Sequence, residues 1–136
     1  MVLVRLLGPV DIVDGFGAHP PGSPLRRTLL ALMAIHAGKV VTSDWLMEHA
    51  WNGEPPQSRL RALRFHISRL RKELGEGDLV VETHPGGYRL AVSADEVDAL
   101  AADVRARAAK RESDPSLAAE EYADVLALWR GVPFVD

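Results

Sequence analysis

No cysteine occurs among the 136 residues, which excludes a disulfide framework and a thiolate-held metal and fits a reducing compartment. No apolar run approaches the roughly 18 residues of a membrane span. The opening Met1-Val2-Leu3-Val4-Arg5 reaches Gly8-Pro9 before the apolar core of a signal peptide is built. A cytoplasmic chain with no membrane contact is expected. Positive charge is also short in sum, with 16 Lys/Arg against 19 Asp/Glu and a net charge of -3. What is present in quantity is apolar residue, 47%, enough for one compact domain or for a small domain and the start of a second.

The acidic average conceals an uneven distribution. Residues 1–93 carry 11 Lys/Arg and 9 Asp/Glu, whereas residues 94–136 carry 5 and 10. Six bases (Arg59, Arg61, Arg64, Arg69, Arg71 and Lys72) and no acid lie between Gln57 and Lys72, a concentration that suits a polyanion.

The element pattern gives that stretch a context. Val2–Leu7 and Val10–Val13 read as strands around Gly8-Pro9. Ser23-Pro24 offers a cap and a first-turn proline for a helix over 24–37, with Leu25, Leu29, Leu32, Met33 and His36 at helical spacing until Gly38. Thr42 or Ser43 caps a short second helix carrying Leu46, Met47, Ala50 and Trp51. Beyond Pro55-Pro56, Ser58 offers a cap to a third helix, 58–74, whose Leu60, Leu63, Ile67, Leu70 and Leu74 repeat at threes and fours. Leu79–Thr83 and Tyr88–Val92, joined through His84-Pro85-Gly86-Gly87, form a hairpin pattern. Three helices followed by a hairpin is the order of a winged helix-turn-helix, so the fold class expected is α+β, with N-terminal strands and a C-terminal hairpin wing. After Ser93 the chain turns alanine-rich and acidic, and an antiparallel helical pair is expected over about 95–110 and 115–130.

On a helix of 100° per residue, the leucine seam of 58–74 centres roughly 320° from Leu60, while Arg61, Phe65, Ser68, Arg69 and Lys72 occupy roughly 80–180°. One side faces a core and the other is cationic. An α-helix fits the B-DNA major groove and arginine pairs bidentately with guanine O6/N7, which makes Arg69 and Arg61 candidate base readers and lets Phe65 touch a thymine methyl. Arg64 and Arg71, nearer the boundary, suit phosphates. His66, beside the cationic face, either donates to a phosphate or caps the packing edge. A solvated charge run is the plain alternative; the helix-turn-helix before it and the hairpin after it favour double-stranded DNA.

At these residues the chain resembles a known family, the response-regulator type of winged-helix domain in the form found in actinomycete antibiotic regulatory proteins. The resemblance rests on Val4–Val10, Val41–Leu46 with Trp51, Phe65–Arg71 and Gly86–Leu90. It implies a DNA-binding domain over 1–93 that contacts promoter direct repeats through Arg61, Arg64, Phe65, His66, Ser68, Arg69 and Arg71, with Thr83 and Arg89 as wing contacts. Ala127–Phe134 looks like the end of the first helical hairpin of a bacterial transcriptional activator domain, so 94–136 is expected to begin such a TPR-like helical unit. RNA polymerase holoenzyme and a homodimer on DNA are implied partners. Trp45, His49, Arg61 and Arg64 depart from the family's usual residues.

Other chemistry has less support. Gly15-Phe16-Gly17 lacks the third glycine and the βαβ unit of a dinucleotide site. The five histidines, His19, His36, His49, His66 and His84, include no i, i+4 pair. No cofactor, metal or catalytic constellation is expected, and the chain reads as no enzyme. Trp51 and Trp129 are expected as core anchors, and Trp45 as packed on Arg61 or the first strands. The rival function is a winged protein-interaction module that docks on transcription machinery through Trp45 and the helical pair, without specific DNA binding.

Overall fold

The computed structural model describes residues 2–15, 17–51, 58–75 and 77–127. Pro55-Pro56, Phe16, Trp129 and the Leu128–Phe134 motif lie outside the described residues. Two three-stranded antiparallel sheets flank a three-helix layer, and two further helices follow. β1 (Val4–Arg5), β2 (Asp11–Asp14) and β3 (Gly17–His19) form the first sheet in that order. Then come α1 (Pro24–Ile35), β4 (Val40–Thr42), α2 (Ser43–Ala50), α3 (Arg59–Leu74), β5 (Val81–His84) and β6 (Gly87–Leu90), with the second sheet ordered β4-β6-β5. A 3-10 turn at Ala94–Glu96 leads to α4 (Asp98–Arg111) and α5 (Pro115–Ala127).

α1 starts at Pro24, as a fixed φ at the first helical position favours, and buries Leu29, Leu30, Met33 and Ala34. Thr42 caps α2 by accepting from Trp45 N–H at 3.1 Å. α3 buries Leu63, Ile67, Leu70 and Leu74 at spacings of three and four. It ends at Gly75, whose φ of 63 turns the chain while its N–H donates to Arg71 O at 3.1 Å. These faces meet one core that also takes in Leu3, Val4, Leu6, Ile12, Leu46, Tyr88, Leu90 and Val97.

Several expectations are corrected. The first strand shrinks to two residues because its neighbours' amides are spent elsewhere. Leu3 N–H donates to Glu96 O at 2.7 Å, and Leu6 and Leu7 N–H donate to the Asp98 carboxylate at 2.6 and 3.1 Å. A third strand, β3, pairs with β2 through Ile12↔His19 and Val13↔Ala18. The hydroxyls of Ser23 and Ser58 make no capping hydrogen bond. Leu60, counted in the seam, is 40% exposed, since the first turn of α3 overhangs the core. Trp45 packs between His36 (T-shaped, 5.1 Å) and His49 (stacked, 4.2 Å), not on Arg61 or the first strands. α4 begins at Asp98 because Val97 makes a parallel bridge to Val4. Of the two alanine-rich stripes, Val97 and Ala101 are buried, whereas Val104, Tyr122 and Leu126 are exposed, as is Leu117.

Candidate nucleic-acid interface

α3 is anchored from beneath by its leucine seam, and what remains is its outer face. Arg61, Arg64, Phe65, Ser68, Arg69 and Lys72 are all exposed there. Arg59, on the first turn, joins them. Phe65 is 51% exposed, a large apolar group in water that a docked surface would cover. The Arg69 guanidinium sits 5.2 Å from the Phe65 ring centroid, so the ring pre-orients the cation. The acid carried by this helix, Glu73, turns the other way. Its Oε1 accepts from Arg26 Nε at 3.0 Å and from Gly22 N–H at 3.1 Å.

The remaining predicted residues are engaged within the chain. Arg71 donates from Nε and NH2 to Val81 O at 3.0 and 2.8 Å, and from NH2 to Thr83 Oγ1 at 2.6 Å. Arg71 and Thr83 therefore join α3 to the first wing strand. Arg89 donates from Nε to Gly38 O at 2.8 Å, which ties the second wing strand to the turn between α1 and β4, and from Nη1 to Glu82 Oε1 on the first wing strand at 2.9 Å. His84 also meets Glu82 Oε1, at 3.0 Å. These bonds, that of His84 first and that of Arg89 next, hold the Glu82 carboxyl below its ordinary range. His66 is half-buried, with Nδ1 3.4 Å from Arg26 NH1 and its ring edge-on to Phe65. Burial, and then the Arg26 charge, push its imidazole below the ordinary value against a pull from Glu73.

The predicted set thus divides. Six residues form one continuous exposed face, His66 lies at its inner margin, and Arg71, Thr83 and Arg89 brace the wing. Sequence reasoning missed Arg26, because its contact with His66 spans 40 positions; the one available hint was Glu73, a lone acid near the end of a cationic helix. Between α2, α3 and the wing tip runs a groove of about 340 Å³ lined by Asp44, Met47, Leu60, Arg64, Thr83 and Gly86 among others. Among the described residues no group of three or more His, Asp or Glu is placed to hold a metal ion, and no helix is long and apolar enough to cross a membrane.

Helical layer, hairpin wing and cationic third helix together define a winged-helix domain of the kind found in transcription regulators, and residues 19–90 match the family described as "Transcriptional regulatory protein, C terminal". The regulatory protein AfsR of Streptomyces griseus is 36% identical over 93% of this chain and 13% of its own length. The transcriptional regulator RedD of Streptomyces coelicolor is 33% identical over 99% of this chain and 41% of its own. A solved structure of Mycobacterium tuberculosis EmbR in complex with a low-affinity phosphopeptide superposes with a TM-score of 0.79 at 27% identity, covering 96% of this chain and 36% of that one. The chain belongs to this family of transcriptional regulators, in its actinomycete antibiotic regulatory branch. It spans under half the length of each of these relatives.

Proposed function

We propose that the chain is the DNA-reading part of a transcriptional activator and binds double-stranded DNA at promoter direct repeats with α3 in the major groove. One observation carries this reading: α3 exposes Arg61, Arg64, Arg69 and Lys72 while its acid, Glu73, is folded onto α1. Arg61 and Arg69 read guanine edges, and Phe65 covers a thymine methyl. Arg64, Ser68, Lys72 and His66 hold phosphates and set register. Arg71 and Thr83 serve DNA mainly by holding the wing, with Arg89 bracing its second strand. The acidic helices after Ser93 begin an effector unit that reaches RNA polymerase, and two copies sit on adjacent repeats as a dimer. The role is one of binding, not catalysis, on nucleoid DNA in the cytoplasm.

The test is selection of bound sites from random duplexes, followed by binding measured over a salt series. Affinity should fall steeply between low and physiological salt as counterions are released. Arg69→Ala should lose about 1–3 kcal/mol on the selected site and relax base preference, whereas Lys72→Ala should weaken all duplexes alike and reduce the salt slope by about 1. Equal, sequence-blind losses at both positions would overturn the assignment of readers. Salt-insensitive behaviour would favour the protein-docking alternative.

A further inference from the structure

The contact between α1 and the inner margin of α3 is built as a chain. Glu73 Oε1 takes both Arg26 Nε and Gly22 N–H, which fixes the plane of the guanidinium. Its NH1 then lies 3.4 Å from His66 Nδ1. A guanidinium carries only donors, so Nδ1 must be the acceptor and the ring proton must reside on Nε2. Phe65, edge-on at 5.2 Å between ring centroids, restrains the ring on the side of the cationic face. Nε2, on the opposite side of the imidazole from Nδ1, makes no hydrogen bond to the described residues.

We propose that Arg26 and Glu73 are positioning residues for DNA binding: they hold His66 as the Nε2–H tautomer, so that a neutral imidazole offers one directed donor to a backbone phosphate beside the bases read by α3. The inference rests on the DNA-binding reading and deepens it by naming how one phosphate contact is oriented. Glu73 makes the arrangement stiff. Its second oxygen is buried and unpartnered among the described residues, so its charge is balanced through Oε1 and Arg26. The charged groups facing the ring are Arg26 from α1 and Glu73 from α3. Burial and Arg26 keep it neutral at physiological pH, which preserves an acceptor at Nδ1; a protonated ring would set N–H against N–H at Arg26.

The test uses the 136-residue chain in two arms. In the free protein, 15N imidazole shifts should report a protonated Nε2 and a bare Nδ1 at His66 near pH 7. Arg26→Met should mix the tautomers and raise the titration midpoint of His66. In the second arm, binding to the selected duplex is measured for Arg26→Met, His66→Gln and the double variant. Glutamine places an amide N–H near the position of Nε2–H without needing a tautomer. Arg26→Met should weaken binding about five- to tenfold, the loss of one well-placed hydrogen bond, yet change little in the His66→Gln background. Equal losses in both backgrounds would mean that Arg26 touches DNA itself and would overturn the proposal, as would an Nδ1–H tautomer in the wild type. Should Arg26→Met fail to fold, Glu73→Gln, which keeps the side-chain shape, should shift the same spectrum and weaken the same binding. If no variant and no wild-type chain selects a duplex, the DNA-binding reading falls, while the tautomer measurement still judges the positioning geometry.

Discussion

At the scale of single residues, the arginines separate by what their guanidinium groups find nearby. Arg61 and Arg64 find solvent, Arg69 finds the exposed Phe65 ring, Arg71 finds the Val81 carbonyl and Thr83 hydroxyl, and Arg89 finds the Gly38 carbonyl and Glu82. All carry the same charge in the sequence, so their roles follow from reach. Arg71→Met keeps the methylene stem but frees the wing strand; urea unfolding should show a loss of about 1–2 kcal/mol, the worth of charge-assisted bonds that are partly exposed. No change in stability would mean that the staple is ornamental. His66 brings a pH dependence whose sign is set by its lowered pKa. Below about 6.5 the unfolded histidine takes up a proton that the folded one resists, so stability falls as pH drops through that value and levels off below the folded pKa. Urea melts at pH 7.5 and 5.5 should show this decline, and His66→Gln should flatten it. Glu82, also lowered, contributes in the same direction but nearer pH 4.5 and below.

At the scale of elements, period and punctuation carried the reading far. The seam of α3 was legible because residues three and four apart share a face, and only its first member, Leu60, escaped burial. The wing was legible from its β-branched run and Gly86-Gly87, with the turn confined to residues 85–86. Strand β3 was not, since Gly17-Ala18-His19 has little strand character of its own and exists by pairing with β2. The two wing glycines do different work. Gly86 has a φ of 78 at the turn, whereas a Cβ on Gly87 would meet Val41 O at 2.2 Å. Gly87 therefore lets β4 and β6 pair at Thr42. Gly87→Ala should force the strands apart and lower stability by at least about 2 kcal/mol, the range of overpacking and lost ladder bonds. A thermal melt unchanged from wild type would refute the close approach as a constraint.

At the scale of the whole molecule, the segment after the wing is fastened to the first sheet, not strung behind it. Val97 bridges Val4, Leu3 N–H meets Glu96 O, and the buried Asp98 carboxylate takes the amides of Leu6, Leu7 and Ala99. Asp98 also stands on the first turn of α4, where the helix dipole favours a negative charge. Asp98→Ala would leave two buried N–H groups without acceptors, a loss of about 2–4 kcal/mol. Amide exchange at Leu6 and Leu7 should accelerate before that of α3. Unaltered exchange there would show that α4 is held by other contacts. In this arrangement the start of α4 is fixed to the first sheet, whose residues share one core with α3.

Local chemistry in the sequence determined the order of helices and wing, the apolar seam of α3 and the concentration of cations on its far side, because propensity, capping and periodicity act over a few residues. Tertiary structure alone decided which cations remain free: Arg71 and Arg89 are drawn into the wing, and Arg26 is brought to His66 and Glu73 from far along the chain. The physical reason is range. A hydrogen bond forms within about 3.5 Å in space, and only the packed core brings residues 40 or 92 positions apart to that distance.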